Sequence, residues 1–287
     1  MKIIVTGGYG FIGSSFVNYC SQQGHDIVVI DKLTYAANKS NVIVPHTFIQ
    51  KDICDVTTDD LGEFDYIVNF AAESHVDNSI DDGSPFVKSN VQGVFNLLEI
   101  SRKNKNLKKF IQISTDEVYG DVPYPRESIE SDVLNPSSYY SSTKASADMI
   151  VISAHHTFGI PYLITRTCNN FGRHQHKEKF LPVVENCFRN DKPIPLYGDG
   201  QQVREWIWVE DNVKAIYNCM MNLIGVHNIG SRNRITNYEI LEMFSKRFNK
   251  PIIIDSVPDR LGHDRRYSLA STNTKITKTL EDYIGGL

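Results

Sequence analysis

The sequence has no long hydrophobic run, no block of basic residues and few cysteines, and each shortage excludes a class of protein. The longest apolar runs are only a few residues long, whereas a membrane-spanning helix needs about 20. The five cysteines lie far apart without a C-x-x-C pair, which argues against a disulfide framework or a zinc site and favours reduced thiols. With a net charge of −4 and no cluster of Lys and Arg, a nucleic-acid partner is not expected.

The N-terminus also lacks the pattern of a signal peptide, since one Lys and four apolar residues precede the first glycines. We therefore expect a cytoplasmic protein without a membrane segment. The composition that remains, 41% hydrophobic and 22% charged over 287 residues, is typical of a globular chain that can bury a core without disulfides or metals.

Short β-branched runs alternate with helical patterns over the first 170 residues. The predicted strands are 2–6, 26–30, 47–50, 66–71, 109–114 and 162–166, and the predicted helices between them include 85–103 and 138–158. Strands that alternate with helices form a parallel sheet covered on both faces, with right-handed crossovers. The sequence therefore predicts an α/β fold with a doubly wound parallel sheet of the Rossmann type.

The pattern changes after about residue 170, where Gly, Pro and His become frequent and the predicted segments shorten. Thr236 and Glu239 form a T-x-x-E capping box, which predicts the start of a helix. We expect a Rossmann-type domain over residues 1–170, to which the chain returns around residues 201–229. A smaller C-terminal domain over residues 171–287 is expected to pack over the carboxyl edge of the sheet.

Three glycines directly follow the first predicted strand. Gly7, Gly10 and Gly13 form a G-x-x-G-x-x-G motif, in which glycines allow a tight turn and let backbone N–H groups approach a pyrophosphate. Asp31 ends the second predicted strand, and a carboxylate there binds ribose hydroxyls and repels a 2′-phosphate. The motif predicts a dinucleotide site that favours NAD over NADP, although the adjacent cation of Lys32 weakens this preference.

Tyr140 and Lys144 form a Y-x-x-x-K pair within the predicted helix 138–158. Residues four apart share a helix face, so the phenol and the ammonium group project together. A nearby cation favours the phenolate and lowers the pKa of a tyrosine toward the working range of a base. The spacing is common, however, and also fits two residues on an exposed helix face.

Two adjacent carboxylates, Asp116 and Glu117, follow Thr115 at the end of the predicted strand 109–114. Ligands bind at the carboxyl edge of a parallel sheet. Crowded like charges move apparent pKa values apart, which allows one carboxyl group to act as an acid and the other as a base. The alternative is that the two residues cap a helix or face solvent.

Several segments match one enzyme family together. Besides the glycine loop and the Y-x-x-x-K pair, they are D-K-L-T-Y-A at 31–36, A-A-E-S-H-V-D at 71–77, S-T-D-E-V-Y-G at 114–120, N-N-F-G at 169–172, P-L-Y-G at 195–198, N-I-G at 228–230 and R-L-G-H-D-R-R-Y at 260–267. The chain resembles the nucleotide-sugar 4,6-dehydratases, extended short-chain dehydrogenases/reductases that act on dTDP-glucose or UDP-glucose. The resemblance covers nearly the whole chain.

The resemblance implies a redox-neutral dehydration with NAD as the cofactor. Tyr140 would take the proton of the sugar's C4 hydroxyl while hydride moves to NAD⁺, and Lys144 would hold the nicotinamide ribose. Glu117 would then remove the C5 proton, Asp116 would protonate the departing C6 hydroxyl, and Thr115 would hydrogen-bond near the C4 oxygen. Return of the hydride to C6 would leave a 4-keto-6-deoxy sugar nucleotide.

The resemblance also implies binding residues, with NAD on the domain over 1–170 and the nucleotide sugar on the domain over 171–287. Those expected to contact the cofactor are Gly7, Gly10, Phe11, Ile12, Gly13, Asp31, Lys32, Asp52, Ile53, Ala71, Ala72, Ser74, Tyr140 and Lys144. Those expected to hold the substrate are His75, Asn169, Lys179, Pro195, Tyr197, Arg204, Asn237, Arg260 and His263. The two arginines suit this role, because guanidinium forks bind phosphate oxygens in pairs.

Two other functions are open on the sequence. A sugar-nucleotide 4-epimerase shares the glycine loop and the Tyr–Lys pair but needs no acid–base pair for C5 and C6, so Asp116 and Glu117 speak against it. The other is a catalytically silent NAD-binding regulator, although every expected catalytic residue is present. No metal site is expected, because His174 and His176 have no evident third ligand in the sequence.

The predicted helices 85–103 and 138–158 carry more apolar residues than one core-facing side needs. In the family that the chain resembles, such helices pack into an intersubunit four-helix bundle, which is an isologous contact. We therefore expect a homodimer.

Overall fold

A computed structural model describes residues 1–271 and 274–287 of the chain. Its strands are β1 (Lys2–Thr6), β2 (Asp26–Asp31), β3 (Thr47–Gln50), β4 (Tyr66–Asn69), β5 (Lys109–Thr115), β6 (Tyr162–Thr167), β7 (Asn169–Phe171), β8 (Ile194–Tyr197), β9 (Val203–Trp208), β10 (Gly225–Ile229), β11 (Arg234–Thr236) and β12 (Ile254–Val257). Its α-helices are α1 (Phe11–Gln22), α2 (Thr58–Leu61), α3 (Val76–Asp81), α4 (Ser84–Phe86), α5 (Gly93–Lys103), α6 (Tyr139–Phe158), α7 (Phe180–Arg189), α8 (Val209–Asn222), α9 (Asn237–Phe248) and α10 (Leu280–Gly285). Within residues 1–271 and 274–287, no helix has the length and apolar character to cross a membrane.

Seven parallel strands form the main sheet, in the order β3-β2-β1-β4-β5-β6-β10. The chain starts in the middle at β1, moves out to β3, crosses back to β4 and continues to the other edge. This is the strand order of a doubly wound dinucleotide-binding sheet, with its switch point between β1 and β4. The predicted fold class is therefore confirmed.

Side chains alternate between the two faces of this sheet, and each face has its own helical cover. Along β1, Ile3 and Val5 pack in one core cluster with Phe16 of α1 and Ile216 of α8. Ile4 points to the opposite face, whose cluster contains residues of α5 and α6. Strands buried on both faces are continuously apolar, which is why the sequence pattern located them.

The chain leaves the main sheet after β6 and returns to it at β10. Strand β10 pairs in parallel with β6, and Gly225 lies opposite Leu163. Helix α8, which leads into β10, packs against α1. Strand β10 thus lies inside the stretch 201–229 for which the sequence predicts a return, while the domain boundaries stay a prediction.

The C-terminal part between and after these elements has a smaller core. Two small sheets, β11-β9-β7 and β12-β8, pack with α7, α9 and α10 around Phe171, Trp206 and Trp208. Helix α9 begins at the predicted capping box, in which the Thr236 hydroxyl accepts the Glu239 N–H at 3.1 Å and the Glu239 carboxylate accepts the Thr236 N–H at 2.7 Å. The two tryptophans therefore belong to this core.

The helix predicted over 85–103 is interrupted in the structure. A π-helical segment, Val87–Gln92, lies between α4 and α5. Its wide turn directs Ser89 and Asn90 inward, and both side chains are buried. A single π turn shifts the apolar pattern by only one residue, so the sequence pattern predicts one continuous helix over the whole stretch.

Candidate active site

A cavity of about 340 Å³ opens at the carboxyl edge of the main sheet, where β1, β2, β4, β5 and β6 end. This edge is where ligands bind in open α/β sheets. The predicted site residues that line the cavity are Gly7, Gly10, Phe11, Ile12, Gly13, Asp31, Lys32, Asp52, Ile53, Ala71, Ala72, Ser74, Thr115, Asp116, Glu117, Tyr140, Lys144, Asn169 and Lys179. The fold thus brings together residues that are more than 170 positions apart in the sequence.

The glycine loop forms a cradle that only glycine allows. Gly7 has a φ of +66°, and a Cβ atom there would lie 2.6 Å from the backbone nitrogen of Ala71. A Cβ atom at Gly13 would overlap the carbonyl oxygen of Gly7. The N-cap of α1 is Gly10, a residue without a side chain, so an anion can approach the first N–H groups of the helix. Strand β4 ends at Asn69, two residues before the predicted end, where its pairing with β1 ends at Thr6.

At the end of β2, Asp31 is fixed in place and Lys32 is paired. The two carboxylate oxygens of Asp31 accept backbone N–H groups at 3.0 and 2.8 Å. The Lys32 ammonium lies 3.2 Å from a carboxylate oxygen of Glu73 and 3.6 Å from one of Asp52. Lys32, the cation that weakens the predicted preference for NAD, is therefore paired with two carboxylates.

Strand β5 delivers the predicted acid to the cavity. It ends at Thr115, whose hydroxyl accepts the backbone N–H of Glu117 at 3.3 Å and so caps the 3₁₀ turn Asp116–Tyr119. The Asp116 side chain is buried. Burial raises the pKa of Asp116 well above its ordinary value of 3.8, and the charges of Glu117 and Glu205 raise it further. This environment favours the protonated form, which can act as an acid.

Glu117 has a different environment from its neighbour. Burial also raises the pKa of Glu117, but the charges of Arg260, Arg204 and Lys179 act in the opposite direction. These cations favour its carboxylate form. The cavity therefore contains one carboxyl group that is biased toward the acid and a second that is supported as a base, which is the asymmetry that an acid–base pair requires.

Helix α6 places Tyr140 and Lys144 against the end of β5. The Lys144 ammonium donates to the carbonyl oxygen of Ile113 at 2.5 Å, and burial lowers the pKa of Lys144 to about 8. Burial raises the pKa of Tyr140, and the charges of Glu117 and Asp116 raise it further. The pKa of Tyr140 is therefore raised and not lowered as expected beside Lys144, because the desolvated phenol faces two carboxyl groups.

The other predicted substrate residues do not line this cavity. In the part of the chain that the structure describes, no residue beyond Lys179 in the sequence belongs to its lining. They are His75, Pro195, Tyr197, Arg204, Asn237, Arg260 and His263. Tyr197 donates to a carboxylate oxygen of Asp77 at 3.3 Å, and a guanidinium nitrogen of Arg260 lies 3.6 Å from the other oxygen. The ring of His263 packs edge-on against Tyr197, with centroids 6.2 Å apart. Tyr197 and Arg260 therefore form a cluster around Asp77, which His263 joins through Tyr197 while its ring pairs with Asp259 at 2.6 Å.

Two of these residues, Arg204 and Asn237, have structural roles within the C-terminal part of the chain. The guanidinium of Arg204 donates to the carbonyl oxygens of Val203 and Asp264, both at 2.9 Å, and lies 4.2 Å from the ring of Tyr267. Asn237 is the first residue of α9. A contact of either residue with a substrate therefore stays a prediction.

Comparison with known proteins places this arrangement in a family. A family model described as the NAD dependent epimerase/dehydratase family matches residues 3–230. The chain belongs to this family. Low-salt glycan biosynthesis protein Agl12 of Haloferax volcanii is 44% identical over 96% of this chain and 92% of its own length. dTDP-glucose 4,6-dehydratase of Haemophilus influenzae is 39% identical over 94% of this chain and 89% of its own length.

A solved structure is similar over the whole fold. DesIV, a dTDP-glucose 4,6-dehydratase from Streptomyces venezuelae with NAD and TYD bound, has a TM-score of 0.95 and 34% sequence identity, covering 100% of this chain and 95% of that one. The resemblance to the nucleotide-sugar 4,6-dehydratases is therefore confirmed. This epimerase/dehydratase is an NAD-dependent enzyme of the hydro-lyase type, which removes the alternative of a silent regulator. The glycine cradle and the fixed carboxylate of Asp31 fit the cofactor.

Sequence reasoning missed a buried ion pair behind the active site of this epimerase/dehydratase. Asp148 lies on α6 one helical turn beyond Lys144 and two beyond Tyr140, and its carboxylate accepts a hydrogen bond from Arg166 at 3.0 Å. Both side chains are almost completely buried. Asp148 lies four residues after Lys144, so an analysis that extends the spacing of the Y-x-x-x-K pair by one more turn would find it. Arg166 has no such signal, because its sequence context is that of an ordinary strand residue.

The π-helical segment supplies a second buried support. The Asn90 side chain donates to the carbonyl oxygen of Glu73 and to the hydroxyl of Thr143, both at 3.0 Å, and accepts the Glu73 N–H at 2.9 Å. It thus joins a loop of the cavity to the helix that carries Tyr140. No sequence signal points to it, because its direction depends on the π turn. Among residues 1–271 and 274–287, no group of His, Cys, Asp or Glu is placed to hold a metal ion.

Proposed function

We propose that this enzyme removes water from an NDP-glucose, either dTDP-glucose or UDP-glucose, and forms the NDP-4-keto-6-deoxy-glucose. The observation that carries the proposal is that Asp116 and Glu117 line the same cavity as Tyr140 and Lys144. An enzyme that only inverts C4 needs the Tyr–Lys pair alone. Loss of water across C5 and C6 also needs a base and an acid, and the two carboxyl groups have environments that suit these two tasks.

Tyr140 acts at C4. Its phenolate takes the proton of the C4 hydroxyl as the hydrogen on C4 leaves with its electron pair. The glycine loop, Asp31 and Lys144 would hold NAD⁺, which would supply the hydride acceptor for C4 and the hydride donor for C6 and whose positive charge would favour the phenolate form of Tyr140. Lys144 holds the ribose of the cofactor, and the hydroxyl of Thr115 hydrogen-bonds near the C4 oxygen.

Glu117 and Asp116 act at C5 and C6. The C4 ketone makes the C5 hydrogen acidic, and the Glu117 carboxylate takes it as a proton while its electron pair forms the C5–C6 double bond. The C6–oxygen bond breaks, and Asp116 gives its proton to the oxygen, which leaves as water. Glu117 then returns its proton to C5, and C6 receives the hydride that the bound cofactor would supply, which leaves the 4-keto-6-deoxy sugar.

The predicted substrate residues supply positive charge and hydrogen bonds for the nucleotide diphosphate. Asn169 and Lys179 act inside the cavity, while Arg260, with Tyr197 and His263 beside it, acts from the cluster around Asp77. A guanidinium beside a phenol suits phosphate oxygens. We place the reaction in deoxysugar synthesis, with rhamnose as one product that it could supply, in the cytoplasm.

The test is turnover with dTDP-glucose and with UDP-glucose, followed by mass spectrometry of the product. A product lighter by one water supports the proposal, and an isomer of unchanged mass indicates a 4-epimerase. The ratio of kcat/KM for the two substrates identifies the base, since a methyl group in an apolar pocket contributes about 1–3 kcal/mol. Asp116→Asn is the matched control, because it removes the acid and leaves the Tyr–Lys pair.

We further infer that the enzyme is a homodimer. The outer surfaces of α5 and α6 carry large exposed apolar side chains, among them Phe95, Met149 and Phe158, each at least half exposed. A second copy that packs the same two helices against them would bury these groups in a four-helix bundle. Sedimentation equilibrium at micromolar concentration is expected to give a dimer, and a stable species of 32.6 kDa would contradict it.

A further inference from the structure

We propose that Asp52 and Glu73 determine the choice of cofactor by holding the Lys32 ammonium, so that it cannot bind the 2′-phosphate of NADP. In dinucleotide sites of this fold, an acidic residue at the end of the second strand binds the ribose of NAD, and a cation nearby accommodates the 2′-phosphate of NADP. This chain has both, in Asp31 and Lys32. Its selectivity therefore depends on where the Lys32 charge is held.

The Lys32 ammonium is held from three separate segments. It lies 3.2 Å from Glu73 in the loop after β4 and 3.6 Å from Asp52 after β3, and it donates to the hydroxyl of Ser89 in the π-helical segment at 3.1 Å. All four residues line the cavity. Three partners on different elements restrict a long lysine side chain far more than one surface carboxylate does.

The charges in this part of the cavity oppose a second phosphate. The carboxylates of Asp31, Asp52 and Glu73 outnumber the single ammonium of Lys32, so the group carries two net negative charges. Lys51 also lines the cavity, but its ammonium is bound by a separate carboxylate at 2.6 Å. Asp31 supplies only part of the repulsion, and the two carboxylates that hold Lys32 supply the rest.

The loops that carry Asp52 and Glu73 do not depend on the charges of these two side chains for their conformation. The backbone of Glu73 is fixed by the side chain of Asn90, through its N–H at 2.9 Å and its carbonyl oxygen at 3.0 Å. Asp52 accepts the backbone N–H of Cys54 at 3.0 Å, which the amide oxygen of an asparagine can also accept. The amide variants therefore remove charge and keep the local structure, which makes the proposal testable.

The experiment compares the affinities for NADH and NADPH, measured from their fluorescence on binding, in the full-length protein and its variants. In D52N/E73Q, the released Lys32 is expected to lower the ratio of Kd for NADPH to Kd for NADH about tenfold, the effect of one freed cation on a phosphate at a partly exposed site. Adding Lys32→Met to this double variant should raise the ratio again by several-fold, because most of the gain depends on that ammonium, while the lost repulsion of the two carboxylates accounts for the remainder.

Two results would overturn the proposal. One is a ratio in the double variant that stays within about twofold of the parent, and the other is a lowered ratio that Lys32→Met does not raise. Circular dichroism and a cooperative thermal unfolding transition confirm that a variant is folded. If the double variant does not fold, E73Q alone must shift the ratio in the same direction, or the proposal is wrong. Because only cofactor binding is measured, the outcome is independent of which sugar nucleotide the enzyme uses.

Discussion

Neutralising Asp116 and Glu117 one at a time should stop the reaction at different points. The amide variants Asp116→Asn and Glu117→Gln keep the shape of each side chain and remove the proton transfer. With Glu117→Gln, C4 is still oxidised but C5 keeps its hydrogen. With Asp116→Asn, C4 is oxidised and C5 can exchange, yet the C6 hydroxyl is not protonated and stays attached.

The size of the Asp116 effect follows from its environment. A carboxyl group with the ordinary pKa of 3.8 carries its proton at pH 7 in roughly one molecule in 1,600. Burial and the adjacent charges of Glu117 and Glu205 raise the pKa of Asp116 well above that value, so a larger fraction of the molecules carries the proton. The asparagine variant loses the acid altogether. We expect its rate to fall by about 10²–10⁴, the contribution of one general acid.

The assay is a single turnover in D₂O, followed by the near-ultraviolet absorbance of the reduced cofactor and by mass spectrometry of the recovered sugar. Glu117→Gln should show the absorbance without deuterium at C5. Asp116→Asn should show the absorbance without loss of water. Rapid exchange at C5 in Glu117→Gln, or nearly normal product formation in Asp116→Asn, would refute the division of tasks.

Three further outcomes are expected. Tyr140→Phe should suppress the absorbance of the reduced cofactor in the same single-turnover assay, because its proton transfer precedes the others. The pH profile of kcat/KM should fall at low pH as Glu117, whose pKa is raised by burial, gains a proton. The profile should fall again above about pH 8, because Lys144, whose pKa is lowered by burial, then loses its proton. A flat profile between pH 4 and 10 would contradict both assignments. Asp148→Asn leaves the buried Arg166 without its counter-charge and should lower the free energy of unfolding in urea by about 3–5 kcal/mol, whereas a change below about 1 kcal/mol would show that the pair is not important for stability.

How much of the molecule could be predicted depends on whether a feature is local in the sequence. Strand β1, the glycine loop and Asp31 follow each other within about 30 residues, and each has a pattern of its own, so the sheet and the cofactor end of the cavity were found. Asp116 and Glu117 could be placed at the cavity from the sequence because they directly follow a strand whose burial is evident from its apolar pattern, while their roles as acid and base stay a prediction.

The features that were not predicted arise from tertiary contacts. The pairing of Lys32 with Asp52 and Glu73 joins three loops at one edge of the sheet, and no spacing in the sequence reveals it. The helix pattern does not predict the raised pKa of Tyr140, because it shows the cation four residues away but not the carboxyl groups that the end of β5 brings to the phenol. Asn90 was missed because a π turn, invisible to a periodicity analysis, points it inward.

The position of β10 at the edge of the main sheet affects folding during synthesis and determines which fragments of the protein can fold. Until residues 225–229 have left the ribosome, β6 is the last strand of the sheet and exposes an unpaired edge, and α1 lacks the cover of α8. Such an edge is a site for aggregation. A fragment that ends near residue 170 therefore contains every catalytic side chain proposed here and still cannot complete its sheet. Expression of that fragment alone should yield insoluble protein, while co-expression of the remaining chain offers the missing strand.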